Sequence, residues 1–200
     1  MIKKKIVVAS SNKGKIAEIK EILSNCEIIT LEELENFIGK KLIITETQDT
    51  FELNALEKVN CLYDQVGDEY IYIADDSGIT IDVLGGFPGV NTARWLDASD
   101  HIKNMELLKK VGNVAVKKRG CHYTNAIALK TKEFTKTFSY TLDGRLSFSP
   151  RGQNGFGFDE IFELSNGKTL AELSINEKLA ISPRRKTIEM VEKYLKNRDF

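Results

Sequence analysis

The stretch Ile73-Ala74-Asp75-Asp76-Ser77-Gly78-Ile79-Thr80 decides how this chain is to be interpreted. It places two adjacent carboxylates, a hydroxyl and a glycine between two apolar runs, 70–74 and 79–83, that have the composition of strands. Carboxylates that directly follow a buried strand need a metal ion or a hydrogen-bonding partner, because burying an unpaired charge is costly. Oxygen ligands at a strand end suit magnesium. Asp, Ser and Gly are also typical of an ordinary turn, so the stretch alone leaves both interpretations open.

Length and charge exclude several classes of function. The 200 residues suffice for one domain with a sizeable core, or for two closely packed lobes. The formal net charge is +0, so there is no bulk electrostatic basis for binding nucleic acid or a membrane surface. The three cysteines are far apart, and with no signal-peptide pattern they predict reduced thiols and a cytoplasmic location. No apolar segment approaches membrane-spanning length.

Strand and helix signals alternate in the first half of the chain. A strand is predicted at 6–9 and a helix at 16–23. Asp49-Thr50-Phe51-Glu52 resembles a capping box that opens a second helix. The apolar face of that helix comprises Phe51, Ala55, Val59 and Leu62. A glycine-rich connection, 84–89, precedes a helix near 99–111 that carries Ile102, Met105 and Leu108.

The second half is richer in strands. A hairpin is predicted from 121–129 and 134–142, and Ser174-Ile175-Asn176-Glu177 has a second capping-box pattern. A final amphipathic helix carries Ile188, Val191 and Leu195. Together these elements favour an α/β fold. We expect an elongated, bent mixed sheet flanked by helices, with two lobes around a central substrate cleft.

Three further segments combine polar or basic residues in patterns that suit a ligand. Residues 10–15, Ser-Ser-Asn-Lys-Gly-Lys, lie between a strand and a helix, where backbone N–H groups attract phosphate, although the segment lacks the Walker A spacing and alone favours a polar turn. In 149–159, glycines alternate with Phe156 and Phe158, so a ligand can approach the backbone and stack on a ring. Lys178 and Arg184 lie in the segment 176–186, whose basic residues are by default interpreted as a solvated face. Both are nevertheless candidates for contacts to a base or a phosphate.

In order and spacing, these segments resemble the Ham1/ITPase family of house-cleaning nucleoside triphosphate pyrophosphatases, which hydrolyse inosine and xanthosine triphosphates. The resemblance covers essentially the whole chain. The matching stretches are 11–15, 46–55, 74–78, 84–90 leading to Ala93-Arg94-Trp95, 155–162, 168–173, and Glu177-Lys178 with Ile181-Ser182.

The resemblance implies a single ITPase-like domain over 1–200 and a homodimeric, magnesium-dependent enzyme. This enzyme would convert a noncanonical purine nucleoside triphosphate, ribo or deoxy, to the monophosphate and pyrophosphate. By position, Asp76 matches the general base, and Glu46, Asp75 and Asp76 match the metal ligands. The implied substrate-binding residues are Ser10, Ser11, Asn12, Lys13, Gly14, Lys15, Ser77, Phe156, Gly157, Phe158, Asp159, Lys178 and Arg184.

The chain departs from the family pattern at two places, of which the first concerns the base. The family commonly has Ser-His-Arg where this chain has Ser182-Pro183-Arg184, and proline offers neither a side-chain donor nor a backbone N–H. We therefore predict altered or relaxed discrimination among purines, with phosphate hydrolysis intact. Phe158-Asp159-Glu160 stands where the family often has Tyr-Asp-Pro, a change that we expect to be tolerated.

Three alternatives remain at the level of sequence. The first is a Maf-like pyrophosphatase acting on pyrimidine or modified-base triphosphates, which a base profile distinguishes. The second is a non-catalytic module that senses a nucleotide; the set Glu46, Asp75 and Asp76 argues against it, because a sensor has little need of all three. The third is a nucleic-acid-binding protein that uses the basic run 183–186, which the neutral net charge disfavours.

Overall fold

A computed structural model describes residues 5–198. Its helices and strands follow in the order β1 (Lys5–Val8), α1 (Lys13–Ile22), β2 (Glu27–Thr30), α2 (Leu31–Ile38), α3 (Phe51–Val66), β3 (Ile71–Ile81), α4 (Asp100–Val111), β4 (Gly120–Lys130), β5 (Thr135–Leu146), β6 (Phe162–Glu163), α5 (Ile175–Ile181) and α6 (Pro183–Lys196). Short 3-10 turns occupy 82–84, 89–91, 116–118 and 170–172. No helix in the described range is long and apolar enough to cross a membrane.

The strands form one six-stranded sheet in the order β2-β1-β3-β4-β5-β6. β1 pairs in parallel with both β2 and β3, whereas β5 and β6 are antiparallel, so the sheet is mixed as predicted. The chain divides into two compact units. The first unit comprises 5–76, 125–140 and 184–198 of the described residues, and the second comprises 77–124 and 141–183. Each of β3, β4 and β5 contributes residues to both units.

The sheet of the first unit is covered by helices on both faces. Successive residues of a strand point to opposite faces, and the core divides accordingly: Ile6 and Val8 belong to one buried cluster, and Val7 to the other. Helices α1 and α6 contribute the apolar residues of the first cluster, and α2 and α3 contribute those of the second. Burial on both faces explains why these strands have continuous apolar sequences rather than alternating ones.

The second unit has one buried apolar cluster. It joins Ile79 and Ile81 of β3 to Leu107, Leu108 and Val111 of α4. Further members come from β4, β5, β6 and the connections near them: Cys121, Tyr123, Leu146, Ile161, Phe162, Leu170 and Leu173.

Most predicted elements are confirmed. The first strand, the apolar face of α3, the two strands β4 and β5, and the buried residues of α6 lie as expected. Both halves of the capping box at Ser174 are present. At α3 the prediction is wrong in detail, because the N-cap is Thr50, whose hydroxyl accepts a hydrogen bond from Leu53 N, rather than Asp49.

Two other expectations are corrected. Asp75 and Asp76 form neither a turn nor a strand end, because β3 continues through them as one strand of 11 residues. In α4, Ile102 and Met105 are about half exposed, while Leu107, Leu108 and Val111 are buried. The sequence pattern also leaves β2 and α2 unpredicted, although Thr30 and Glu33 make a complete capping box there.

Candidate active site

The loop between β1 and α1 leads into a capped helix N-terminus that is flanked by two lysines, Lys13 and Lys15. Asn12 caps the helix, its side-chain oxygen accepting hydrogen bonds from the backbone N of Gly14 at 2.9 Å and of Lys15 at 3.1 Å. The Ser10 hydroxyl accepts from Asn12 N at 3.2 Å. The first turn of α1 carries no acidic residue, and Lys13 is exposed. The partial positive charge of the helix N-terminus therefore adds to that of the lysines.

A cavity of about 230 Å³ in the first unit lies against this loop. Its lining includes loop residues Ser10, Ser11 and Asn12 and helix residue Lys15, together with Glu46, Lys58 and Asp75. The cavity thus has phosphate-attracting groups beside carboxylates, which is the combination that a metal-bound phosphate requires.

Asp75 is the most enclosed carboxylate at this cavity, with 2% of its surface exposed. Its Oδ2 lies 2.9 Å from Lys15 Nζ and 3.6 Å from Arg184 Nε, and it accepts a hydrogen bond from Asn125 Nδ2 at 3.2 Å. Burial acts to raise the pKa of Asp75, but the charges of Lys15 and Arg184 outweigh it and hold that pKa below its usual range. The other oxygen, Oδ1, is buried with no hydrogen-bond partner among the described residues.

Asp76 has the opposite electrostatic character. It is 8% exposed, and its Oδ2 accepts a hydrogen bond from Asn54 Nδ2 of α3 at 2.9 Å. Burial raises the pKa of Asp76 above its ordinary value. The charge of Lys58 and the bond from Asn54 oppose that rise, and the nearby Glu46 carboxylate adds to it. A carboxyl group with a raised pKa is better suited to accept a proton near neutral pH than an ordinary aspartate.

Glu46 is held at the cavity by a lysine of α3. Lys58 Nζ donates to Glu46 Oε1 at 2.5 Å and to the backbone oxygen of Asp75 at 2.6 Å, and it is itself 5% exposed. One buried cation therefore links the Glu46 carboxylate to the strand that carries both aspartates.

The residues present fit a hard divalent cation that is completed by substrate. No group of three or more His, Cys, Asp or Glu side chains within 5–198 is arranged to hold a metal ion by itself. Magnesium, however, is usually bound by one or two carboxylates plus phosphate oxygens and water. Glu46 and Asp76 are close enough to perturb each other electrostatically, and the unpartnered Asp75 Oδ1 is an oxygen that a cation would satisfy.

The glycine-rich loop of the second unit presents one aromatic ring. The Phe156 ring is 63% exposed, and Lys178 Nζ lies 4.6 Å from its centroid. Asp159 is 4% exposed; its Oδ2 pairs with Lys178 Nζ and accepts a hydrogen bond from Phe156 N at 2.8 Å. A Cβ at Gly155, where φ is +90°, would lie 2.1 Å from the same oxygen, so the glycine permits this close approach.

Helix α4 fixes the next residue of this loop. The N–H of Gly157 donates to Asp100 Oδ2 at 2.7 Å, and its carbonyl accepts from Asn104 Nδ2 at 2.7 Å. Phe158 turns toward the core and packs edge-to-face on Tyr123, with ring centroids 4.9 Å apart. Of the two phenylalanines predicted as stacking faces, Phe156 is therefore the exposed one.

The predicted site residues thus lie in two groups. The first unit holds residues 10–15, Glu46, Asp75, Asp76 and Arg184. In that unit Arg184 Nη1 also lies 3.1 Å from Glu18 Oε2. Ser77, residues 156–159 and Lys178 belong to the second unit.

Three polar residues at the first group are not predicted from the sequence: Glu57, Lys58 and Asn125. Asn54, which bonds Asp76, lies within the matching stretch 46–55. Lys58 follows Asn54 by four residues, so the two side chains share one face of α3. That spacing is the signal by which the sequence could have indicated Lys58.

Comparison with known proteins gives a consistent result. The model of the Ham1 family matches residues 6–194. A dITP/XTP pyrophosphatase of Campylobacter hominis is 40% identical over 210 residues, covering 98% of this chain and 100% of that protein. A dITP/XTP pyrophosphatase of Symbiobacterium thermophilum is 37% identical over 191 residues, covering 94% and 93%. Among solved structures, the Ham1 protein of Staphylococcus aureus is similar with a TM-score of 0.87 and 34% identity, covering 98% of this chain and 100% of that one.

Proposed function

Since the chain belongs to the Ham1 family, we propose that it is a nucleoside triphosphate pyrophosphatase that hydrolyses noncanonical purine nucleotides such as ITP, dITP, XTP and dXTP. The products are the nucleoside monophosphate and pyrophosphate. The observation that carries the proposal is the cavity of the first unit, where a helix N-terminus and Lys15 lie beside Glu46 and Asp75. Asp76 follows Asp75 on β3 and is close enough to Glu46 for that carboxylate to raise its pKa.

The triphosphate is bound by residues 10–15, which comprise the loop after β1 and the first turn of α1. The partial positive charge at the N-terminus of α1 and the ammonium groups of Lys13 and Lys15 oppose its negative charge. Asp75 orients Lys15 through the 2.9 Å contact, so this lysine is already directed into the cavity before the ligand arrives. Such preorganisation lowers the cost of ordering the side chain on binding.

Asp76 acts as the general base. Its carboxylate takes the proton of the water that attacks the α-phosphorus, and Asn54 holds that carboxylate through Oδ2. The neighbouring Asp75 has a lowered pKa and stays ionised, so the two adjacent acids are suited to different roles.

Magnesium is the cofactor that this donor set suits best, and Glu46, Asp75 and Asp76 would hold it. When bound, the ion would neutralise charge on the phosphate oxygens. Lys58 holds the Glu46 carboxylate and the Asp75 backbone, and so keeps these acidic residues together before a metal ion binds.

The rest of the substrate is proposed to contact the remaining predicted binding residues, which are Ser77, Phe156, Gly157, Phe158, Asp159, Lys178 and Arg184. Phe156 offers a face on which a base can stack, and the Lys178 ammonium is a donor for a 6-oxo group, which adenine lacks. Pro183 supplies no donor, so we propose that discrimination against guanosine triphosphate is weaker than in family members that have histidine there.

The remaining predictions from the sequence are retained as proposals. We propose that the 200 residues act as a single ITPase-like domain, that the enzyme is a homodimer located in the cytoplasm, and that neither nucleic acid nor a membrane is its partner. Dimerisation rests on the resemblance to the family alone.

Product analysis tests the proposed function. Inosine, xanthosine, guanosine, adenosine and thymidine triphosphates are incubated with the enzyme, with and without magnesium, beside Asp76→Asn. We expect pyrophosphate and monophosphate from the 6-oxo purines only with metal, and loss of turnover in the variant. Preference for thymidine triphosphate would favour the Maf-like alternative, and binding without turnover would favour a sensor.

A further inference from the structure

The segment 43–48, which carries Glu46, has no helix or strand of its own but is hydrogen-bonded along α3. Gln65 accepts from Ile43 N at 3.0 Å and donates to Ile43 O at 2.7 Å. At the other end, Asn54 Oδ1 accepts from Gln48 N at 2.9 Å. Because side chains spaced three or four apart share one helix face, side chains at 54, 57, 61 and 65 can take the place of a neighbouring strand for this segment.

Glu57 lies at the centre of this row and bonds both neighbours of Glu46. Its carboxylate accepts hydrogen bonds from Thr45 Oγ1 at 2.6 Å, from Thr47 N at 2.8 Å and from Thr47 Oγ1 at 2.9 Å. Cys61 Sγ adds a 3.4 Å contact with Thr45 Oγ1. The backbone on either side of Glu46 is therefore fixed through one side chain.

The Glu46 side chain is held by a different residue of α3. Its Oε1 accepts from Lys58 Nζ, which belongs to the next residue of α3. Glu57 thus fixes the backbone that carries Glu46, while Lys58 neutralises its charge. Replacing Glu57 should therefore change the position of Glu46, whereas replacing Lys58 should remove the charge that is paired with it.

We propose that Glu57 is a positioning residue for the metal site: by holding Thr45 and Thr47 it keeps the Glu46 carboxylate beside Asp76. This inference rests on the proposed function, because it assumes that Glu46 is a metal ligand. Groups that orient a ligand through one intervening residue typically affect metal affinity or activity about 10- to 100-fold.

The chemistry of the contact predicts a graded series of variants. An ionised carboxylate accepts all three hydrogen bonds, whereas the amide of Glu57→Gln has one oxygen acceptor and an NH₂ group that would meet the hydroxyl or N–H donors of Thr45 or Thr47. Glu57→Ala removes every bond. We expect metal affinity to fall in the order wild type, Glu57→Gln, Glu57→Ala, with a loss of about tenfold or more in the last.

The test measures Mn²⁺ binding by electron paramagnetic resonance, with non-hydrolysable α,β-imido inosine triphosphate present. Asp64→Asn is the matched control, because Asp64 is an exposed acid of the same helix. Hydrogen exchange of 43–48 without metal is measured in parallel, and the Thr47 amide should exchange faster in Glu57→Ala than in wild type. Should Glu57→Ala fail to fold, Thr47→Val removes one bond while leaving Glu57 in place.

Each outcome decides between positioning and a general structural role. Weaker Mn²⁺ binding and faster exchange at Thr47, with an unchanged control, support the proposal. Mn²⁺ affinity within about twofold of wild type in folded Glu57→Ala would overturn it, as would an equal loss in Asp64→Asn. Failure of wild type to cleave the triphosphate would instead refute the proposed function, and failure to bind Mn²⁺ would remove the metal role of Glu46 and this inference with it.

Discussion

Replacing the two adjacent aspartates one at a time should separate stability from catalysis. Asp75→Asn removes the charge that faces Lys15 at 2.9 Å and Arg184 at 3.6 Å. Breaking a buried ion pair typically costs about 3–5 kcal/mol, because the partner is left as an uncompensated charge. The Lys15 side chain is 19% exposed and Arg184 keeps its contact with Glu18, so we expect the lower end, about 3 kcal/mol.

For a chain of this length, about 3 kcal/mol corresponds to a fall in Tm of roughly 6–12 °C. Asp76→Asn should behave differently. Burial disfavours the ionised form of Asp76 and raises its pKa, so an uncharged isostere should leave the free energy of unfolding at neutral pH unchanged or higher. This variant should be folded but inactive.

Urea and thermal unfolding in the presence of EDTA measure both effects without any contribution from bound metal. The pKa of Asp75 is lowered in the folded state, so its contribution to stability is complete above the pKa of an unfolded aspartate, about 3.9. That contribution is lost as the pH falls through the lower folded pKa. The difference between wild type and Asp75→Asn should therefore be constant from about pH 5 to 8 and diminish in stronger acid.

Two results would refute this reasoning. The first is a free energy of unfolding for Asp75→Asn within about 0.5 kcal/mol of the wild-type value, the range of an ordinary surface substitution. The second is a loss of stability in Asp76→Asn as large as that in Asp75→Asn. In either case the two carboxylates do not have the opposite electrostatic roles assigned to them.

Three further substitutions test other parts of the structure. Phe156→Ala should leave Tm unchanged because the ring is 63% exposed, but weaken nucleotide binding in calorimetry by about 1–3 kcal/mol; unchanged affinity would remove the ring from the site. Gly152→Ala should lower Tm, because its Cβ would lie 2.3 Å from the Ala171 backbone at φ +84°; an unaltered Tm would contradict the close approach. The hydrogen bond to Asp143, with a weaker one to Asp82, raises the pKa of His122, so its stabilisation is present below about pH 6.5 and lost as pH rises through the folded pKa. His122→Asn should therefore destabilise at about pH 5.5 and not at pH 9, as urea unfolding would show, and equal loss at both pH values would exclude this linkage.

The parts of the fold that follow from local pattern could be predicted from the sequence. The buried residues of α6 recur at helical spacing, and the apolar strand at 6–9 is followed by polar residues. Both elements, and the loop between β1 and α1, could therefore be predicted from the sequence. In α4 the apolar pattern was misleading, because Asn104 is buried where it binds the carbonyl of Gly157. A count of apolar residues cannot identify a face that contains a buried amide.

The burial of Asp75 inside a continuous strand could not be predicted, because the residues that pair with it are distant in sequence. An aspartate pair inside a strand contradicts strand propensity unless cations compensate it. Here Lys15 comes from α1, Arg184 from α6 and Asn125 from β4. The hydrogen bonds between α3 side chains and the segment 43–48 could not be predicted for the same reason. A segment without a periodic pattern gives no sign of which helix it will contact.

The most direct test of the account is hydrolysis of inosine triphosphate in ¹⁸O-labelled water, with the products separated by mass spectrometry. Attack on the α-phosphorus by a water that Asp76 deprotonates predicts the label in the monophosphate and none in pyrophosphate. Labelled pyrophosphate would mean attack on the β-phosphorus, and labelled orthophosphate would mean attack on the γ-phosphorus. Either result would contradict the assignment of the phosphate loop and of Asp76.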